Sequence, residues 1–200
     1  MLAKVNTQPY GLAMVDKKPR LGPQDWINAG FRTLTQNGPE ALRVEPIARG
    51  LGTTKGSFYW HFKDLAALQL AMLAYWEDAA THRVIADLEQ LPPGQSRLQA
   101  LSQAVNAPHD AQGGPGAEAA IRGWARAFAP ANAALARVDA ARLAFLQDCL
   151  SAVGNDDPDM PFLIYAAHLG LEQLSVNNTV DGQGILSRLI AMASAQPNLE

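Results

Sequence analysis

The chain has 200 residues, 48% of them hydrophobic, with 16 Lys or Arg against 19 Asp or Glu and a formal net charge of −3. That length can bury a real core and suits one small plus one larger helical domain. No uninterrupted apolar run reaches the roughly 18 residues of a membrane span. Residues 1–22 have no long apolar stretch ahead of a cleavage site, so no signal peptide is read and a cytoplasmic location is expected.

The charge is unevenly placed. Residues 1–63 hold nine Lys or Arg against four Asp or Glu, a balance of +5, whereas residues 64–200 hold seven against fifteen, a balance of −8. A mildly acidic protein therefore carries a basic N-terminal third. Residues 1–22 read as a flexible basic arm, broken by Pro9, Gly11, Pro19 and Gly22 and carrying Lys17, Lys18 and Arg20. The first helix is expected over 24–36, with Trp26, Ile27, Gly30, Phe31 and Leu34 inward and Asn37-Gly38-Pro39 ending it.

Two short helices about a tight turn follow. Glu45 can cap the first and Pro46 can occupy its first position, where a missing N–H costs nothing. Ile47 and Leu51, four apart, share its inner face. Gly52 supplies the left-handed residue of a sharp stop, and Thr54 restarts the chain as a hydroxyl N-cap for a helix over 55–61. This is the outline of a helix-turn-helix. In the second helix only Phe58 and Phe62 look like core anchors. The other side chains suit a DNA duplex: Lys55 and Ser57 for base edges or nearby phosphates, Gly56 for close backbone approach, Thr54, Tyr59, His61 and Lys63 for the phosphate backbone, and Trp60 for a thymine methyl or a sugar face. Arg43, just ahead of the first of the two helices, is counted with them. The basic balance of this third supplies non-specific attraction to DNA despite the acidic whole, and the N-terminal arm is a candidate to follow the DNA backbone or enter the minor groove, a solvated tail being the alternative.

Residues 23–73 resemble the DNA-binding domain of the TetR (tetracycline-repressor-like) family, carried by Gly38, Leu42, Val44, Ile47, Ala48, Leu51, Gly52, Thr54, Gly56, Ser57, Tyr59, His61, Phe62 and Leu68 at matching spacing. Two positions depart from that pattern. Thr53 stands where the family usually has a buried valine, and Leu65 where it usually has a lysine at the start of the next helix. The second departure removes one expected phosphate contact. The resemblance implies an all-α fold, a three-helix helix-turn-helix domain at 23–73 followed by a helical ligand-binding and dimerisation domain at 74–200.

Asp64 should cap a long helix reaching about residue 91, in which Leu65, Leu68, Met72, Tyr75, Trp76 and Ala79 recur at helical spacing. This helix links the two domains. Further helices are expected over 96–106, 118–129 and 132–153, with a Gly- and Pro-rich loop at 107–116. The 132–153 helix places Leu135, Val138, Arg142, Phe145, Leu146, Cys149 and Leu150 on or near one stripe. Cys149 is the chain's only cysteine, which excludes an intramolecular disulfide and multi-cysteine zinc sites, and it reads as an inert buried thiol. The last two helices are expected at about 160–176 and 184–195, and the stretch 162–171 of the first is apolar nearly all round, which implies burial on several sides. Pairing with a second copy resolves that excess, burying Leu163, Ala167, Leu171, Leu174, Ile185, Leu189 and Met192 in a four-helix bundle about a two-fold axis, the interior of the one chain being the competing burial site.

Such a homodimer calls for a near-palindromic double-stranded operator with half-sites one or more helical turns apart, roughly 34–36 Å per turn. The resemblance also implies a small-molecule effector between the C-terminal helices. Trp76, Trp124, Phe128, Phe145, Tyr165 and His168 are the candidate lining residues, and their few charges suit a largely apolar effector. The leading expectation is a homodimeric repressor released from its operator by that effector. A ligand-independent regulator or an activator is the alternative, and an all-α enzyme or carrier is the third reading. Against the third, the sequence offers no paired carboxylates, no metal-spaced cluster and no nucleophile with a base, and no cofactor is expected; Asp78 and His82, four apart and beside Glu77, come nearest.

Overall fold

A computed structural model describes residues 21–104, 116–175 and 181–195. The expected arm, up to residue 20, and the expected loop at 107–116, except Gly116, lie outside the described residues. Every regular element among those described is helical. Helix α1 (Pro23–Asn37), α2 (Val44–Gly50) and α3 (Lys55–Phe58) precede a long rod made of α4 (Leu65–Glu77), a π-helical turn (Asp78–His82) and α5 (Arg83–Glu89). After it come α6 (Gln95–Ala104), α7 (Ala117–Ala125), α8 (Ala129–Ser151), α9 (Met160–Ser175) and α10 (Gly182–Ala195).

The inner face of α1 is the one expected from its spacing: Trp26, Ile27, Gly30, Phe31 and Leu34 are all buried. Gly30 leaves room there for Met72 of α4, since a Cβ at that position would lie 2.5 Å from Met72 Sδ and the thioether would have to move. Helix α2 begins two residues before Pro46, with Arg43 as N-cap and no side-chain cap bond. Proline tolerates this third position because the first four N–H groups of a helix have no intrahelical acceptor. The expected Glu45 cap is therefore replaced by an ordinary first turn. Helix α3 ends at Phe58 rather than at residue 61, because His61 N and Phe62 N both return to the Phe58 carbonyl, at 2.9 and 3.0 Å, and swing Phe62 into the core.

Two hydrophobic clusters form the interior. The first runs from Trp26, Phe31, Ile47 and Phe58 through Met72 and Trp76 to Ile121, Trp124 and Val138. It is continuous across residue 73, so the helix-turn-helix shares its core with α7 and the first half of α8. The second joins Leu88, Leu98, Phe145, Leu150, Ile164 and Ile190. It is fastened at its far end by buried Asn155, whose Nδ2 donates to the Ala193 carbonyl at 2.8 Å, and by the Ser102 and Ser187 hydroxyls, 2.6 Å apart between α6 and α10. Helices α9 and α10 pack on one another yet leave Phe162, Leu163, Leu174, Ile185 and Met192 exposed.

Candidate nucleic-acid interface and ligand cavity

The tight turn is built as its sequence requires. Gly52 has φ 64°, and Thr54 Oγ1 accepts from Ser57 N at 3.4 Å to cap α3. Phe58 is fully buried, edge-on to Trp26 at 5.3 Å and stacked on Phe62 at 5.7 Å. Those two anchors fix the turn and turn its neighbours outward. Arg43, Thr54, Lys55, Gly56, Tyr59, Trp60 and Lys63 are exposed, and Trp60 keeps 88% of its surface in solvent. Ser57 and His61 are half-buried, His61 against the Trp26 ring at 6.5 Å. An indole so exposed contributes nothing to the core, which is the pattern expected of a contact residue.

The cations of this surface differ in their freedom. Lys55 Nζ lies 3.2 Å from Glu45 Oε1, and that hydrogen bond raises its pKa. Lys63 reaches only 3.9 Å from Asp64 Oδ2, and the other carboxylate oxygen of Asp64 accepts from Ala67 N at 2.8 Å to cap α4. Leu65, the position lacking the expected lysine, instead packs against the first cluster. Thr53 is half-buried and its N–H donates to the Ala48 carbonyl at 3.0 Å.

A cavity of about 110 Å³ lies where the two hydrophobic clusters meet. Trp76 and Ala117 reach it from the first, and Phe145, Leu146, Ile164 and Tyr165 from the second. Four of the six aromatic or imidazole side chains expected there, Trp76, Phe145, Tyr165 and His168, do line it. Trp124 and Phe128 do not. They stack on each other, ring centroids 4.7 Å apart and planes 8° from parallel. Trp124 follows Ala117 and Ile121 at helical spacing, and that stripe of α7 faces the first cluster.

The cavity wall also holds charge, contrary to the expectation of few charged groups: Glu118, Arg142 and Glu172 line it together with Thr81. Arg142 Nη1 donates to Glu118 Oε1 and Oε2 at 2.9 and 2.8 Å and to the Tyr165 hydroxyl at 3.0 Å. Its Nε donates to Thr81 Oγ1 at 3.1 Å and its Nη2 to the Ala80 carbonyl at 3.2 Å. Behind it, Arg122 Nη2 lies 2.8 Å from Glu118 and 2.6 Å from Asp139, and Tyr165 donates its own hydroxyl proton to Asp139 at 2.7 Å. Two guanidiniums thus balance two carboxylates around one phenol. Burial would raise the Glu118 pKa, but the Arg142 and Arg122 charges outweigh it and hold it below the ordinary carboxylate value. Burial raises the Tyr165 phenol, which stays protonated, and burial pushes the Cys149 thiol up to about 11. That thiol is inert at neutral pH.

Arg142 left a trace in the sequence, since a guanidinium on the buried stripe of α8 requires partners. Glu118 left none, because its partners lie on other helices or one turn away. The π turn was not legible either. It shifts the side-chain register from four residues to five, so Asp78 pairs with Arg83, at 2.8 Å, rather than with His82. His82 instead faces Glu77 at 4.0 Å, while Glu77 is held by Arg137 through two bonds of 2.7 Å. Among the described residues no three His, Cys, Asp or Glu side chains form a group able to hold a metal, and no helix is long and apolar enough to cross a membrane.

Residues 27–72 match the family model described as bacterial regulatory proteins, tetR family. No curated protein matches the chain. Among solved structures, a protein from Rhodococcus sp. assigned to the TetR-family transcriptional regulators is 25% identical, with 86% of this chain and 98% of that one covered and a TM-score of 0.65. One from Saccharomonospora viridis, assigned as a transcriptional regulator and solved with choline, is 16% identical over 85% and 93% of the two chains, with a TM-score of 0.64. The multidrug binding protein EbrR, complexed with imidazole, is 18% identical over 88% and 97%, with a TM-score of 0.59. The last two likenesses show the fold alone.

Proposed function

The chain belongs to the TetR family of helix-turn-helix DNA-binding regulators, and we propose that it is a homodimeric transcriptional repressor released from a near-palindromic operator by a small organic effector. The observation that carries this reading is the position of the cavity. It lies at the seam between the cluster that holds the recognition helix and the cluster beneath α9 and α10.

In this reading α3 and the turn after it enter the major groove. Lys55 and Ser57 reach base edges or nearby phosphates, Gly56 lets the backbone approach, and Arg43, Thr54, Tyr59, His61 and Lys63 hold the phosphates, with Trp60 against a sugar or a thymine methyl. Residues 23–73 supply DNA binding, residues 74–200 supply effector binding and dimerisation, and the arm before residue 23 adds backbone contacts. The exposed apolar side chains of α9 and α10 support a two-fold four-helix interface. An effector repacks the seam and shifts the long rod, and it does so only by binding the two states with different affinity. The structures solved with choline and imidazole support a small molecule as the trigger.

The experiment is recovery of bound fragments from sheared genomic DNA, followed by footprinting at several salt concentrations. The expected result is a protected near-palindrome whose affinity falls steeply with salt. Weak binding without sequence preference overturns the reading. For the interface, Leu163→Glu with Met192→Glu is expected to convert a dimer to a folded monomer in sedimentation, with loss of operator binding.

A further inference from the structure

We propose that Glu45 is a specificity-determining residue: with Lys55 it reads one G·C pair of the operator, the carboxylate taking the cytosine amino group and the ammonium the guanine of the same pair. This rests on the DNA-binding reading above and narrows what that surface recognises.

A carboxylate works against binding on a face that meets phosphates, because it repels them. Glu45 nevertheless stands in the first turn of α2 with 66% of its side chain exposed, and its Oε1 accepts from Lys55 Nζ at 3.2 Å. Lys55 is the first residue of α3, and the N-terminal residues of a recognition helix are the ones that come to base edges. Any edge that Lys55 reaches is therefore within reach of the carboxylate beside it. The two helices do not need this pair to hold them together. Ile47, Ala48 and Phe58 are buried beneath them. The turn is closed by Gly52 N on the Arg49 carbonyl and Thr53 N on the Ala48 carbonyl, both at 3.0 Å, and an ion pair so exposed adds little to a fold. Its chemistry does match one base-pair edge. Across the major groove a G·C pair presents guanine N7 and O6, both acceptors, and then the cytosine N4 donor. The ammonium fits the two neighbouring acceptors and the carboxylate fits the donor next to them. Since the charges stay adjacent, neither is left unpaired as the edge loses water. In an A·T pair the donor, adenine N6, lies between the acceptors N7 and O4, so a carboxylate there meets an acceptor on each side.

The test is a substitution scan of the footprinted operator on the full chain, each base pair of a half-site replaced in turn and binding read by fluorescence anisotropy of labelled duplexes. In the unchanged chain one G·C position is expected at which replacement costs about ten-fold or more. Glu45→Gln puts an amide, which pairs with adenine N6 and N7, in place of an acceptor-only carboxylate. It is expected to lose the cytosine preference at that position, with adenine taking its place, while binding to the other sequences tightens as the repulsion of phosphates goes. Lys55→Met is expected to lose preference at the same base pair. Both side chains are exposed, so the unfolding midpoint should stay in place in each variant. A scan that Glu45→Gln leaves unchanged, or changes by one factor at every position, overturns the proposal and leaves the DNA-binding reading standing. Preference lost at different base pairs in the two variants overturns the shared reading of one pair. A scan of the unchanged chain with no preferred base at any position overturns both the proposal and the reading on which it rests.

Discussion

The two hydrophobic clusters of this chain are built differently. The first is closed: aromatic rings at 5.3–5.7 Å run from Trp26 through Phe58 to Phe62, and the cluster continues without a break into α7 and α8. The second is open on one side, around a cavity whose polar end is a hydrogen-bonded ion network. A closed core transmits displacement as a block, because packed side chains interdigitate and have few empty places to relax into. An open one can accept a ligand. For the effector response proposed above, the difference teaches where a signal would begin and what it would move: the seam, and then α3 together with everything its core includes.

The strongest way to break this contrast is to damage the closed core at its DNA end. Phe58→Ala should cost about 3–5 kcal/mol, as large aromatic truncations in well-packed cores do. Because the first cluster is continuous, the loss should appear in one cooperative transition, with helicity and tryptophan fluorescence falling together in denaturant. A separate early transition of the helix-turn-helix would mean that the two ends are energetically independent. Arg142→Ala attacks the open side instead. It removes one of two guanidiniums from buried Glu118 and leaves Thr81 and the Ala80 carbonyl of the π turn without their donor. Since Arg122 still pairs Glu118, the expected cost is smaller, about 2–3 kcal/mol. Hydrogen exchange should quicken in residues 78–82 before it does in α1.

Legibility in the sequence followed the same division. The helix-turn-helix was readable because its determinants are local: Gly52 must be left-handed, Thr54 must cap, and Phe58 and Phe62 sit one turn apart. Each acts within a few residues of its neighbours. Even so, α3 is shorter than its sequence suggests, since His61 N and Phe62 N both return to the Phe58 carbonyl and Phe62 stacks on Phe58. The cavity depends on packing between distant segments. Trp124 and Phe128 had the composition of lining residues, yet Trp124, on α7, and Phe128, capping α8, stack on each other within the first cluster. Glu118, by contrast, carried no signal at all, and it is buried with Arg142 of α8 as its partner. The π turn, which set the Asp78 partner, has no composition signal of its own.

Acid should distinguish the two cores more gently. Glu118 has a folded pKa below its ordinary 4.5, and Glu77 is lowered in the same way by its bonds to Arg137. The sign is that of a depressed carboxylate: its stabilisation is complete above the unfolded pKa and is lost as pH falls through the folded value. Stability measured by denaturant should therefore be flat near neutrality and fall below about pH 4.5. Glu118→Gln should flatten part of that acid limb. The rings of Trp26, Phe58 and Phe62 carry no acid group, so Phe58→Ala should shift the curve downward without changing its shape.

The smallest effects belong to the exposed cations of the proposed DNA-binding surface, and they separate two kinds of contact. Lys63 is 89% exposed and only loosely near Asp64, so it can reach a phosphate without giving up a partner. Lys63→Ala should leave the fold intact, weaken all DNA sequences alike and reduce the slope of log affinity against log salt by about 1. Lys55 is held at 3.2 Å by Glu45, and on DNA that carboxylate both competes for the ammonium and repels phosphates. Glu45→Gln should then tighten binding, steepening the salt dependence slightly, while Lys55→Ala should lose sequence preference as well as affinity. If Glu45→Gln leaves both affinity and slope unchanged, the pair persists in the complex and Lys55 acts by orienting α3 against α2 rather than by touching the duplex.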